Sequence, residues 1–284
     1  MIASQPIWKS FARRVAWRTV ALAALVLAGY ITLVRFALSG DVSWWLAAPG
    51  LTALAYVAFT PMHEASHGNV SGGVNGWRWL DPVVGWGMSL VFAAPFPAFR
   101  AVHLRHHGRT NHRDDDPDAW VAGDSWWQVI ARCWTIFPHY DWVYLRRLMW
   151  LTPAAQREGW RVVAAFVATG LGLVALIAQG HGAALFALWL GPAWAASGLL
   201  ALAFDWLPHV PHQRTGRYVD TRAIDVRWLD APLLGQNLHA IHHLYPRVPF
   251  YRYRATFDAM APELESRGTE VVRFRRGGRS ARMP

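Results

Sequence analysis

Of the 13 histidines in this chain, eight fall in three tight groups: His63-Glu64-Ala65-Ser66-His67, His103-Leu104-Arg105-His106-His107 and His239-Ala240-Ile241-His242-His243. The last two share the spacing His-x-x-His-His. Positions i, i+3 and i+4 lie on one face of a helix, so each group can aim its imidazoles in one direction. Imidazole ligates iron, copper and zinc, and eight such side chains exceed the needs of a single ion. The pattern predicts a centre for more than one transition-metal ion.

Two other readings compete. Taken alone, His63-Glu64-x-x-His67 has the spacing of a zinc metalloprotease helix, in which the glutamate would be the general base. Such an enzyme needs only one more ligand, which leaves six histidines in two groups without a purpose. A haem-binding electron carrier would need paired axial histidines inside a bundle of spans, whereas these groups fall at or beyond span ends. Redox chemistry also requires a metal other than zinc, which does not change oxidation state.

Several residues are candidate companions. Asp205 and His209 are spaced i, i+4 where the last apolar run ends, which would point both at one centre. Glu64, Asn237 and Asp116 are candidates for additional ligands or for partners behind the ligands. The run Asp114-Asp115-Asp116-Pro117-Asp118 reads first as a turn and a helix N-cap. His112, His139, His181 and His212 fit none of the groups.

The elements that must position these groups are apolar. Hydrophobic residues make up 54% of the 284, with 18 tryptophans, a ring that favours the membrane–water interface. Four runs, 17–38, 43–62, 161–179 and 183–205, reach the roughly 20 residues needed to cross a bilayer. A fifth, 83–99, is shorter and interrupted by Gly85, Gly87, Pro95 and Pro97, and reads as a re-entrant or interfacial helical hairpin. Parity agrees: one more crossing would put the first two histidine groups on opposite sides of the membrane.

The fold class expected is an all-α integral membrane protein, with four spans, the hairpin and a helical cap carrying the metal centre. Residues 1–268 form one domain, and 269–284 form a flexible basic tail. Arginine is concentrated in 1–18, 100–161 and 207–284, so these segments, both termini and all three groups are expected on the cytoplasmic side of a bacterial inner membrane. The basic N-terminus (Lys9, Arg13, Arg14, Arg18) precedes an apolar run too long for a cleaved signal, which reads as a retained span. The net charge of +10 follows from this topology, and no nucleic-acid partner is expected. A single cysteine, Cys133, excludes an intrachain disulfide and a cysteine-ligated iron–sulfur cluster.

In order and spacing, the groups at 63–67, 103–107 and 239–243 resemble the three histidine boxes of the membrane fatty acid desaturase and hydroxylase superfamily. Within it, the chain looks most like the cyanobacterial-type β-carotene ring hydroxylases. That likeness rests on His103-Leu-Arg-His-His, Asp116-Pro-Asp, Phe204-Asp-Trp-Leu-Pro-His209 and Gly235-Gln-Asn-Leu-His-Ala-Ile-His-His-Leu-Tyr-Pro-Arg-Val-Pro-Phe-Tyr. It runs from about residue 55 to 268. Pro211-His212 and His112 depart from the subgroup.

The resemblance implies a ninth ligand at His209 and two iron ions held by His63, His67, His103, His106, His107, His209, His239, His242 and His243. It implies O2 as co-substrate and hydroxylation or desaturation of an unactivated C–H bond. A carotenoid ring is the favoured substrate and a fatty acyl lipid the alternative. No flavin or dinucleotide motif is present, so electrons would come from a separate ferredoxin-like or reductase partner. Arg100, Arg105, Arg109, Arg113, Arg146 and Arg147 could attract an acidic carrier, although positive-inside topology also accounts for them. An apolar substrate would enter from the bilayer, with Trp86, Phe92 and Trp206 as candidate path residues.

Overall fold

The computed structural model describes residues 14–273, so Lys9, Arg13 and the tail beyond Arg273 lie outside the described residues. Four helices are long and apolar enough to cross a membrane: α1 (Trp17–Ser39), α2 (Trp44–Ser66) and two later helices, Pro153–Ala178 and Gly182–Trp206. α2 is the central one, packing on α1, on the following helix and on the last span. Its buried face carries Ala47, Leu51, Ala55, Ala58 and Met62. The backbone N–H of Ala16 donates to Val70 O at 2.9 Å, which ties the start of α1 to the chain leaving α2.

α3 (Leu80–Phe92) and α4 (Phe96–Arg109) meet at 101° across a break of three residues, the hairpin expected over 83–99. Ala93 takes the left-handed conformation at φ 55° and Pro95 starts the next helix, so the chain turns sharply. The elbow closes tightly because Gly85 lies under Phe96, where a Cβ would sit 2.6 Å from the ring. α4 then runs back to the metal side and carries the whole second histidine group.

α5 (Trp126–Trp134) and α6 (Ile136–Arg146) form the near side of the cap. α7 (Pro153–Ala178) begins eight residues before the run read from the sequence. Pro153 suits the first helical position and the Thr152 hydroxyl accepts from Ala155 N, so the helix starts before its apolar stretch does. Among its residues only Gly159 and Val162 are buried, which leaves its apolar surface facing outward as a lipid-exposed span requires.

The last span, α8 (Gly182–Trp206), contains two wide π-helical stretches, Phe186–Leu190 and Ala201–Trp206. After it the chain builds the far side of the cap: β1 (Arg222–Ile224), α9 (His239–Leu244), α10 (Tyr253–Ser266) and β2 (Glu270–Val272). The two short strands pair in parallel, Arg222 opposite Glu270.

This last pairing takes in the first residues of the expected tail. Residues 270–272 are a strand, and Arg273 donates to Asp225 at 3.0 Å and pairs with Glu265. Three residues are too few for a periodicity to be seen, so the strand was not legible. The cap has its own apolar core, built from Leu238, Ile241, Tyr253, Phe257 and Leu264, separate from the core of the spans.

Candidate metal centre

α2 extends four residues past the predicted end of its span, so His63 lies inside the helix and His67 caps it. The i, i+4 spacing puts both rings on the face turned toward α4 and α9. His103, His106 and His107 occupy one face of α4, and His239, His242 and His243 one face of α9. The nine predicted ligands divide into two groups. His63, His67, His103, His107 and His242 form one, while His106, His209, His239 and His243 form the other. Within each group one ligand atom per residue lies within 4.8 Å of all the others. Two nitrogens on opposite sides of an ion, each at ~2.1 Å, would be ~4.2 Å apart, so both groups are the right size.

The nitrogens that converge are the Nε2 atoms. In the first group His63 and His242 approach to 2.9 Å, His67 and His103 to 2.8 Å, and His107 and His242 to 2.8 Å. In the second, His106 and His243 lie 3.2 Å apart, and His239 and His243 3.1 Å. Several Nδ1 atoms face other partners, whereas His63 Nδ1 is buried with none. His106 Nδ1 lies 2.8 Å from Asp116 and 3.3 Å from Asp118. His209 Nδ1 lies 3.2 Å from Asp220 O, and His242 Nδ1 lies 3.0 Å from the Tyr253 hydroxyl.

An Nδ1 that donates to a carboxylate or carbonyl leaves Nε2 as a bare lone pair in a neutral ring. Lone pairs packed this closely repel unless a cation lies between them. His209 Nε2 is buried with no hydrogen-bond partner at all. The donor set therefore fits metal ions, and the partners behind it are of the kind that orient metal-bound imidazoles.

Protonation states agree for most of the set; His106 is the exception, since burial pulls it down but Asp116 and Asp118 raise it to about 10. Burial holds His67 at about 3, helped by the nearby Arg100 and Arg247, and burial beside His106 holds His239 at about 3. His209, His242 and His243 are likewise pushed well below 6.5, first by burial and then by neighbouring imidazoles. These rings stay neutral at physiological pH, the state a ligand needs. Burial raises Asp118 to about 6, against the pull of His106.

The other candidates fall in different places. Asp116 stands behind His106 and also accepts from the N–H groups of Asn111 and Asp118, so it caps the 3-10 turn Pro117–Val121 as the Asp-Pro run predicted. Asp205 does not join either group. The wide π turn over Ala201–Trp206 breaks the i, i+4 register with His209, and the Asp205 carboxylate instead accepts from Tyr140 at 3.3 Å. Asn237 also turns away, donating to Ile224 O and Asp230, which anchors the approach to His239. Glu64 is buried beside Asn69 and belongs to neither group.

Phe92 lines a cavity against the histidines, together with Phe59, Phe99, Phe137 and Phe204. Trp86 is on the outer surface of α3, and Trp206 packs on Trp126 in a separate cleft, so neither is on that cavity. His112 is exposed, His139 stacks on Trp120, and His181 starts α8 at the far end. His212 lies near His209 but in neither group. Tyr253, Tyr140 and Thr110, whose hydroxyl is 3.4 Å from His243 Nδ1, were not foreseen. Single hydroxyl residues in apolar sequence carry no spacing signal.

Part of the predicted basic face is already engaged. Arg105 and Arg109 pair with Asp115, and Arg147 donates to Asp114 O.

Four candidate spans and a nine-imidazole centre at their common end define a membrane protein built around a histidine-rich metal site. The profile of the fatty acid desaturase family matches residues 42–275, and the chain belongs to that family. It is similar to an sn-1 oleoyl-lipid 12-desaturase of a Picosynechococcus species, with 23% identity covering 86% of this chain and 76% of the relative. The sn-1 oleoyl-lipid 12-desaturase of Anabaena variabilis is 24% identical, covering 87% and 77%.

Proposed function

We propose that this protein is a membrane di-iron oxidase that uses O2 and electrons from a separate donor to oxidise an unactivated C–H bond of a lipid. The observation that carries this reading is the set of nine imidazoles whose ligand nitrogens converge in groups of five and four. Five imidazoles exceed the four ligands of a tetrahedral zinc site, and a protease would leave the second group idle. Nitrogens 2.8–3.2 Å apart leave no room for a haem between them. Iron in both groups supplies the redox chemistry.

The protein's own part is to orient the imidazoles, hold most of them neutral, exclude water and present one carbon to the centre. The wall of five phenylalanines beside His63, His103, His106 and His239 suits an apolar substrate. We take that substrate to be a carotenoid ring, hydroxylated, on the strength of the stretches 204–209 and 235–251. Acyl-lipid desaturation is the second reading, favoured by the names of the relatives. Both place the centre on the cytoplasmic side of a bacterial inner membrane, within reach of a ferredoxin-like or reductase donor.

The test is expression in a bacterial host that makes β-carotene, with mass spectrometry of pigments and acyl chains and His106→Ala as control. Pigments that gain oxygen would establish the hydroxylase, and acyl chains that lose two hydrogens would establish the desaturase. Purified protein without iron, with activity intact in His106→Ala, would sink both.

A further inference from the structure

The cavity against the histidines is too small for a hydrocarbon chain as it stands. Its free volume is about 30 Å³. A water needs roughly 10–15 Å³ by this measure, so a hydrocarbon chain enters only if a side chain moves. A second void of about 30 Å³ lies at the α3–α4 elbow, against Ala93, Ala94, Pro95, Ala98 and Asp141. The two voids share three wall residues: Phe99, Phe137 and Tyr140.

Two of the three are tied in place. Phe99 stacks flat on His103, with ring centroids 5.5 Å apart and planes 6° apart. Tyr140 donates its hydroxyl to Asp118 at 2.6 Å. Phe137 has no polar group to anchor it. Its half-buried ring meets Phe92 edge-on at 4.8 Å, in the first turn of α6, just after the break at Thr135. Facing it across the second void are the small side chains Ala93, Ala94 and Ala98.

We propose that Phe137 is the gate of a portal between the α3–α4 elbow and α6, through which an extended hydrocarbon chain reaches the metal pocket end first. Swinging one phenyl ring joins the two voids into a bore about one ring wide. That width passes an acyl chain or a polyene, and the alanine wall sets the limit on bulk. This rests on the proposed lipid oxidation, because it is the substrate of that centre that would use the portal.

The experiment uses the full-length protein in membranes and a diazirine-bearing fatty acid, with the cross-linked peptides mapped by mass spectrometry. Product formation and metal content are measured in parallel. Cross-links are expected on the segment 93–98 and on Phe137. Ala94→Trp, a half-buried wall position, should reduce both cross-linking and turnover at least tenfold with metal content unchanged. Phe137→Ala should instead raise cross-linking on the segment 93–98 with metal content unchanged. Cross-links confined to other segments while product still forms would overturn the portal and leave the lipid oxidase standing. Cross-links at the elbow with no oxidised lipid of either kind would leave the portal and remove the activity. Normal cross-linking and turnover in Ala94→Trp would rule out this route.

Discussion

Each imidazole of the centre has two nitrogens with different tasks, and the outward one decides what the inward one can do. Asp116 is the strongest case, because its carboxylate takes the Nδ1 proton of His106 and fixes the ring. Asp116→Asn should weaken metal retention by ~10–100-fold without removing a ligand, which competition against a chelator would measure. Acid should act through the same rings. In metal-stripped protein the unfolded chain takes up protons on His67 and His239 near 6.5, whereas the folded chain resists until about 3. Between those values the unfolded state binds more protons, so stability falls as pH falls through that window. Thermal unfolding in detergent should show a lower midpoint at pH 5 than at pH 7.5. A flat profile would mean the rings are not held neutral by the fold. The eight clustered histidines were legible because a helix turns fixed spacing into a shared face, whereas His209 was named from the family resemblance. Tyr253 and Tyr140 were not legible, since a lone hydroxyl becomes a partner only through a tertiary contact.

At the level of elements, the centre depends on how three helices of different character are held together. α2 and α4 are fixed by the core of the spans, but α9 has only six residues and cannot be stable alone. It is held by the cap. Arg254 on α10 donates to Asp225 and Asp230, and Asp230 also accepts from Asn237, two residues before His239. Arg254→Ala should cost ~1.5–3 kcal/mol from these charged hydrogen bonds. It should also lower metal content while the protein still inserts into membranes. Full metal content in that variant would show α9 to be positioned by its own packing. The spans and the elbow could be read from apolar length and from the glycines and prolines that interrupt it. Asp205 lines the cavity with the histidines but stands outside both nitrogen groups, because sequence spacing assumes 3.6 residues per turn and the wide turn at 201–206 does not follow it.

On the scale of the whole molecule, both described ends and every ligand lie at one end of the bundle, and the short connections at 40–43 and 179–181 at the other. Because Cys133 is the single cysteine and is buried, a thiol placed at Asp41 should react with a membrane-impermeant maleimide from the side opposite to one placed at Arg217. Labelling of both from the same side would contradict the four-span topology. The same arrangement has a consequence for how the protein is made. His63 and His242 touch, yet 179 residues of chain separate them. At 5–20 residues per second the ribosome needs roughly 10–40 s to supply the second after the first. During that interval the early spans can already be in the bilayer while the half-built cluster waits incomplete. The complete cluster, and with it any site for a metal ion, therefore exists only after the last third of the chain has been made.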